Sequence, residues 1–512
     1  MSKFFEELKT TLNKEFNVSI TEKGATGFRT TGKSLLDLNF SVSSLRKANV
    51  DEVFDKFAKA YFEDKLTAIK WLFFAGDVRG GMGERRFFRL AMIYLAQTDT
   101  EIARKLLPLV PEFTRWDNLL YLLNTKVGDD VVKIIEKQLA EDEENMLAEK
   151  PISLCAKWLP SENATSEETR SIAKFLISKL GITASVYRRR LSKLRRYLKV
   201  IEVKMSANEW EQIEYSEVTS KANLIYNEAF LKHDKKRREK YLKALEKGET
   251  KINATTLYPH EIVNKYTHGS YHLTENENKT YEALWKALPN YGSEDDSTMV
   301  VADGSGSMTV RAGRDSTVTA LDIANALAIY FSERAKGDFK DNYITFSENP
   351  QMVDFSHCNT LHDKIGVALT HNEVANTNIE KVFDLILTTA IKGKLKQKDM
   401  PKNILIISDM EFDYCASSSV GKPNQKLFET LAERFKNNGY KLPRLVFWNV
   451  CSRTKTIPLI ENDLGVALVS GYSPSIAKMV FSNELDPFKA LLDQINTERY
   501  QVVEDAVKSV IK

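Results

Sequence analysis

Apolar residues in the first 290 positions recur at helical spacing. Phe54, Phe57, Ala58, Tyr61 and Phe62 follow the i, i+3, i+4, i+7 rhythm of one buried face. Similar faces recur over 87–96, 106–110, 131–139 and 172–180, with short breaks carrying Gly, Pro or Asp. From Thr298 the pattern changes to short, continuous apolar runs. These predict strands at 298–303, 342–346, 352–355, 403–409, 444–450 and 466–469. Helical stretches at 318–336 and 379–391 lie between them, so the alternation predicts a mainly parallel sheet with helices on both faces. The polar stretch 289–296 breaks the helical rhythm. It divides the chain into a helical domain, 1–292, and an α/β doubly wound domain, 293–512, that ends in a helical tail from Pro487.

Composition adds bounds rather than function. The 512 residues suffice for two or three domains, and 43% hydrophobic content supplies large cores. A formal net charge of +3 excludes no class of partner. Cys155, Cys358, Cys415 and Cys451 are far apart and form no metal or redox motif, which suits a reducing, cytoplasmic setting. The acidic start, Met1-Ser2-Lys3-Phe4-Phe5-Glu6-Glu7, does not read as a signal peptide, and no membrane partner is expected. His268 and His272 are four apart, but their polar segment is not expected to hold zinc.

The chemistry begins at Asp303-Gly304-Ser305-Gly306-Ser307, directly after the first strand of the second half. A carboxylate and two hydroxyls on a strand-to-helix turn form half of an oxygen cage for a small hard cation such as Mg²⁺. The glycines let the backbone turn tightly. Thr377, before the helical run at 379, and Asp409, ending the strand at 403, are candidates for the rest. Ligands bind beyond the carboxyl ends of strands in open parallel sheets, so Asp303 and Asp409 can converge despite their separation in sequence.

These three loops resemble the metal-ion-dependent adhesion site (MIDAS) of the von Willebrand factor A domain, over roughly residues 295–485. The resemblance implies direct metal bonds from Ser305, Ser307 and Thr377, with Asp303 and Asp409 acting largely through water. It leaves one position for an acidic partner. Asn376 stands where many members have glycine.

The first half carries a second resemblance. Asp77-Val78-Arg79-Gly80-Gly81-Met82-Gly83-Glu84-Arg85-Arg86 and Arg115-Trp116-Asp117-Asn118-Leu119-Leu120 look like segments of the TROVE module of Ro autoantigens. They are more similar still to an uncharacterised TROVE-like family, which residues 156–163 and 255–259 also fit. The helical pattern resembles a HEAT-like solenoid, without a clean sequence repeat. Ro proteins place an A domain after a ring of helical repeats, the order expected here. The resemblance implies a ribonucleoprotein that binds single-stranded RNA ends or structured small RNAs.

The chain has a basic region of its own. Residues 181–245 hold 16 Lys or Arg against 8 Asp or Glu. The densest parts contain Arg188, Arg189, Arg190, Lys193, Arg195, Arg196 and Lys199, then Lys235, Lys236, Arg237 and Arg238. Such a stripe can neutralise phosphates, and Tyr187 and Tyr197 could stack on bases. It can equally be a solvated helix face. Arg79, Arg85 and Arg86 have the same two readings, RNA contact or structural turn.

Enzymatic readings are weaker. Residues 27–34 match the P-loop pattern formally, but the preceding residues are polar and no second nucleotide-binding acid is apparent. Neither Ser305 nor Ser307 sits in a Gly-x-Ser-x-Gly elbow. The reading is therefore a non-catalytic, Ro-like RNA-binding protein. The alternative is a protein-interaction scaffold that takes an acidic partner residue on its metal.

Overall fold

The computed structural model describes residues 12, 16–268, 273–292, 297–313, 316–346, 349–372, 378–413, 427–480 and 484–511. They form two compact units. One comprises described residues up to Asp64 together with those of Leu257–Thr497; the other is Lys65–Thr256 with Glu498–Lys512.

The first unit opens with a small hairpin, β1 (Ser19–Ile20) paired antiparallel to β2 (Thr26–Gly27). Its main sheet contains β3 (Thr298–Asp303), β4 (Asn342–Phe346), β5 (Gln351–Asp354), β6 (Asn403–Ser408), β7 (Arg444–Asn449) and β8 (Val466–Ser470). The strand order is β5-β4-β3-β6-β7-β8. Every pairing is parallel except β4 with β5, which is antiparallel. Central strands such as Asn403-Ile404-Leu405-Ile406-Ile407-Ser408 are almost wholly buried, as expected where helices cover both faces. The helix Ala320–Arg334 carries a Thr319 capping box and buries Ile323, Leu327 and Phe331.

This packing differs from a division at 292. The helices Pro259–Thr267 and Glu275–Lys286 belong to the sheet unit. The Trp285 indole donates to Glu333 at 2.7 Å, and the Tyr330 hydroxyl donates to the Pro289 carbonyl. The helix Ser34–Ser41 also joins this unit, where Asn449 donates to the Phe40 carbonyl at 2.7 Å and Asn39 to that of Leu468 at 3.2 Å. A polar break in sequence marks a change in chain rhythm; buried helix faces decide where each segment packs.

The second unit is helical among its described residues. Trp71, Phe73, Phe87, Phe88 and Phe113 pack edge to face in its core. The helical tail divides: Pro487–Ile495 stays with the sheet unit, and the segment from Glu498 packs here. Tyr500 stacks on Phe113, and its hydroxyl donates to Asp77 at 3.0 Å. Asp77 is fully buried and also takes the Arg499 guanidinium, with one hydrogen bond at 2.9 Å. The turn around Asp77 needs its glycines: a Cβ on Gly81 would lie 1.9 Å from the Phe74 carbonyl oxygen. Among the described residues no helix is long and apolar enough to cross a membrane.

Candidate metal centre

Strand register builds the centre. Ala302 of β3 pairs with Ile407 of β6, so Asp303 and Ser408 follow side by side at the carboxyl edge. Strand order reverses between these two strands, the switch point where open α/β sheets hold ligands. The Ser408 hydroxyl donates to Asp303 Oδ2 at 2.6 Å, and the Ser305 amide donates to Oδ1 at 2.9 Å. The hydroxyl oxygens of Ser305 and Ser307 lie 2.9 Å apart. Asp409, one residue past β6, is fully buried and accepts from the Glu411 amide at 3.2 Å. Met410 between them has φ of 62°, a left-handed conformation costing roughly 1–2 kcal/mol for a non-glycine residue. Both flanking carboxylates are fully buried at this turn.

Four of the five expected ligands, Asp303, Ser305, Ser307 and Asp409, therefore gather at one sheet edge. Thr377 lies outside the described residues. Burial pushes the Asp303 carboxyl up to about 7, and the Asp409 carboxylate adds to the push against hydrogen bonds from Ser408 and Ser305. Burial raises Asp409 as well, opposed by Arg453 and the Glu411 amide. Crowded, buried negative charge among hydroxyl oxygens is a donor set that fits a hard divalent cation. Among the described residues no cluster of three or more His, Cys, Asp and Glu side chains could hold a metal, so this set depends on its hydroxyls.

Sequence reasoning missed three side chains here. Arg453 Nη1 lies 3.2 Å from Asp409 Oδ2 and 3.4 Å from the Ser307 carbonyl oxygen. Its other terminal nitrogen meets Glu22 at 2.8 Å. Glu411 accepts from the Arg453 and Thr454 amides at 2.7 and 2.8 Å, and from the Glu22 amide at 3.1 Å. The available signal was topological: Arg453 follows β7, whose carboxyl end reaches the same edge.

The basic stripe divides. On the helix Ala184–Tyr197, Arg188, Arg189, Lys193 and Arg196 share an exposed face, and Lys199 is exposed just beyond. Arg188 pairs with Glu162 at 2.9 Å. Others are structural. Tyr187 is fully buried and donates to the Pro160 carbonyl at 2.9 Å, so it offers no ring for a base. Arg195 donates to the carbonyls of Ala156 and Leu159 at 2.8 and 2.7 Å and to the Ser161 hydroxyl at 3.0 Å. Arg190 pairs with Glu143 at 2.8 Å, and the half-buried Tyr197 donates to the Lys150 carbonyl at 2.9 Å.

The second basic run behaves the same way. Lys235 and Lys236 are exposed. Arg237 donates to the carbonyls of Trp210 and Ile213 at 2.8 and 2.6 Å. Arg238 is fully buried, with Asn223 and Asn227 each 3.1 Å away. Its guanidinium lies 4.9, 5.2 and 5.3 Å from the ring centres of Tyr215, Phe230 and Tyr241. In the turn at 77–86, Arg79 and Arg85 are exposed and Arg86 is half-buried, while Asp77 engages Arg499.

The P-loop-like segment has its own occupants. The Gly32 and Lys33 amides donate to the hydroxyls of Thr30 and Thr31, the Thr31 amide to Asp37, and the Ser34 amide to Glu63 at 2.7 Å. A phosphate cradle would present those amides to the nucleotide.

Comparison with known proteins separates the chain where its rhythm changes. Residues 125–290 match the family described as domain of unknown function DUF2828, and residues 297–509 match domain of unknown function DUF7788. The uncharacterized protein L728 of Acanthamoeba polyphaga mimivirus is 30% identical over 93% of this chain and 87% of its own length. The chain belongs to that protein's family. The two matched segments end at 290 and begin at 297, whereas the packing units change at 64, 256 and 497. Family segmentation follows sequence along the chain, and the packing units follow buried contacts.

Proposed function

We propose that this is a non-catalytic RNA-binding protein of Ro type, with a von Willebrand A-like sheet domain and a HEAT-like helical domain. Support for the A domain comes from the strand order, with one antiparallel edge strand, and from Asp303, Ser305, Ser307 and Asp409 at its switch point. These residues, with Thr377, would hold Mg²⁺ or another divalent cation. When bound, the ion supplies a Lewis-acidic position for a carboxylate.

The observation that carries RNA binding is the exposed face Arg188, Arg189, Lys193, Arg196. Exposed Lys235 and Lys236 extend the basic set; they open a helix, where the macrodipole disfavours cations and attracts anions. The test is direct RNA binding by purified protein at rising salt. The expected result is tight low-salt binding that falls steeply, with a preference for RNA bearing a free single-stranded end over blunt duplex. Absence of binding at low salt contradicts this function.

A second reading is favoured by Glu22, whose carboxylate reaches Arg453 beside the centre. A carboxylate is accommodated there, which suits a scaffold that takes an acidic residue from a protein partner. A partner lost on Asp303→Ala, from a protein that does not bind RNA, would support the scaffold.

A further inference from the structure

The centre carries its own positive charge on an arm. Arg453 touches Asp409 and the Ser307 carbonyl with one nitrogen and Glu22 with the other. Its backbone is pinned: buried Glu411 accepts from the Arg453 amide, the Thr454 amide and the Ser452 hydroxyl. The same Glu411 carboxylate accepts the Glu22 amide, so one buried group places both members of the ion pair. The side chains contrast with that base. Arg453 is 28% exposed and Glu22 49%, whereas Asp409 is 0%. A fixed base with a partly exposed arm allows the guanidinium to leave without dismantling the loop.

We propose that Arg453 is a tethered cation that competes with the divalent ion for Asp409, and that Glu22 draws it toward solvent, so that the pair sets the metal affinity. The inference rests on the metal-site reading above. A guanidinium hydrogen-bonded to Asp409 uses lone pairs that the ion's water shell needs. Its charge also repels a dication in a partly buried setting, where screening is weak. Glu22 acts in the opposite sense. It gives the guanidinium a second anchor away from Asp409 and adds negative charge near the ion's entrance. The two substitutions therefore shift metal affinity in opposite directions. A merely structural role would weaken the site in both.

The experiment is calorimetric titration of the full-length chain with MgCl₂ and with MnCl₂. It uses wild type, Arg453→Gln, Arg453→Met, Arg453→Lys and Glu22→Gln, with thermal melts to establish folding. Arg453→Gln or Arg453→Met is expected to bind on the order of tenfold more tightly than wild type. Arg453→Lys should stay near wild type because the charge remains, and Glu22→Gln should bind more weakly. Binding only after Arg453 is neutralised would be the strongest support. Folded Arg453→Gln that binds no more tightly than wild type, or tighter binding in Glu22→Gln, overturns the proposal while leaving the site intact. If Arg453→Gln does not fold, Arg453→Met and Glu22→Gln decide by the same signs. No binding by wild type or any Arg453 variant overturns both the proposal and the site.

Discussion

The sheet edge and the basic stripe show two ways in which sequence maps onto structure. At the sheet edge, residues about a hundred positions apart are brought together by strand register, and four expected ligands meet. On the stripe, residues adjacent in sequence go to different places. Arg189 and Lys193 face solvent, while Tyr187, Arg195 and Arg238 are committed to internal partners. A motif at a strand end inherits its geometry from the sheet. A run of charge has no geometry until helix faces are assigned, and an arginine can be as structural as a leucine.

That contrast can be broken most sharply at Arg238. Replacing it with Ala leaves two buried asparagines without their donor and a gap among three rings, so the helical unit should lose about 3 kcal/mol or more. Chemical denaturation followed by near-ultraviolet circular dichroism measures this; a loss below about 1 kcal/mol would contradict a structural role for Arg238.

Next in size is the metal. Asp303→Ala should abolish Mg²⁺ binding in calorimetry and keep the far-ultraviolet spectrum, since the surrounding strands are apolar. Retained Mg²⁺ affinity would remove Asp303 from the site.

A smaller, graded effect is expected on RNA. Replacing Arg188, Arg189, Lys193 and Arg196 with Ala should weaken binding across sequences. It should also flatten the slope of log K against log salt by about 0.7 for each phosphate that is no longer neutralised. Fluorescence anisotropy at several salt concentrations reads both. An unchanged slope would show that this face does not meet phosphates.

The smallest effect is at Tyr197. Tyr197→Phe removes its hydrogen bond to the Lys150 carbonyl and should cost about 1 kcal/mol of stability, with little change in RNA affinity. A large affinity loss in the folded variant would mean that the hydroxyl, and not only the ring, touches RNA.

Much of the sheet unit was legible because short continuous apolar runs such as Ile404 to Ile407 are buried on both faces and cannot be mistaken for amphipathic helix. The candidate aspartates and serines were legible because their short polar side chains follow directly on the two apolar strands, Asp303, Ser305 and Ser307 after 298–302 and Asp409 after 403–408. Arg453 and Glu22 were not, because their roles depend on Glu411 joining two loops distant in sequence. Nor was the packing of the chain ends. The helix Ser34–Ser41 buries Leu35, Leu36, Leu38 and Phe40 and is oriented by Asn39 and Asn449, and the segment from Glu498 is oriented by Asp77 with Arg499 and Tyr500. Single polar contacts between remote segments leave no periodic trace.

The central claim is that this sheet edge is a divalent-metal centre, and the most direct measurement is an anomalous difference map from crystals grown with Mn²⁺. The account predicts one peak bonded directly, at roughly 2.1 Å, to the hydroxyls of Ser305, Ser307 and Thr377. Asp303 and Asp409 would lie within reach of its waters, and Arg453 would be withdrawn from Asp409. A peak elsewhere, or no peak with Arg453 still on Asp409, would contradict it.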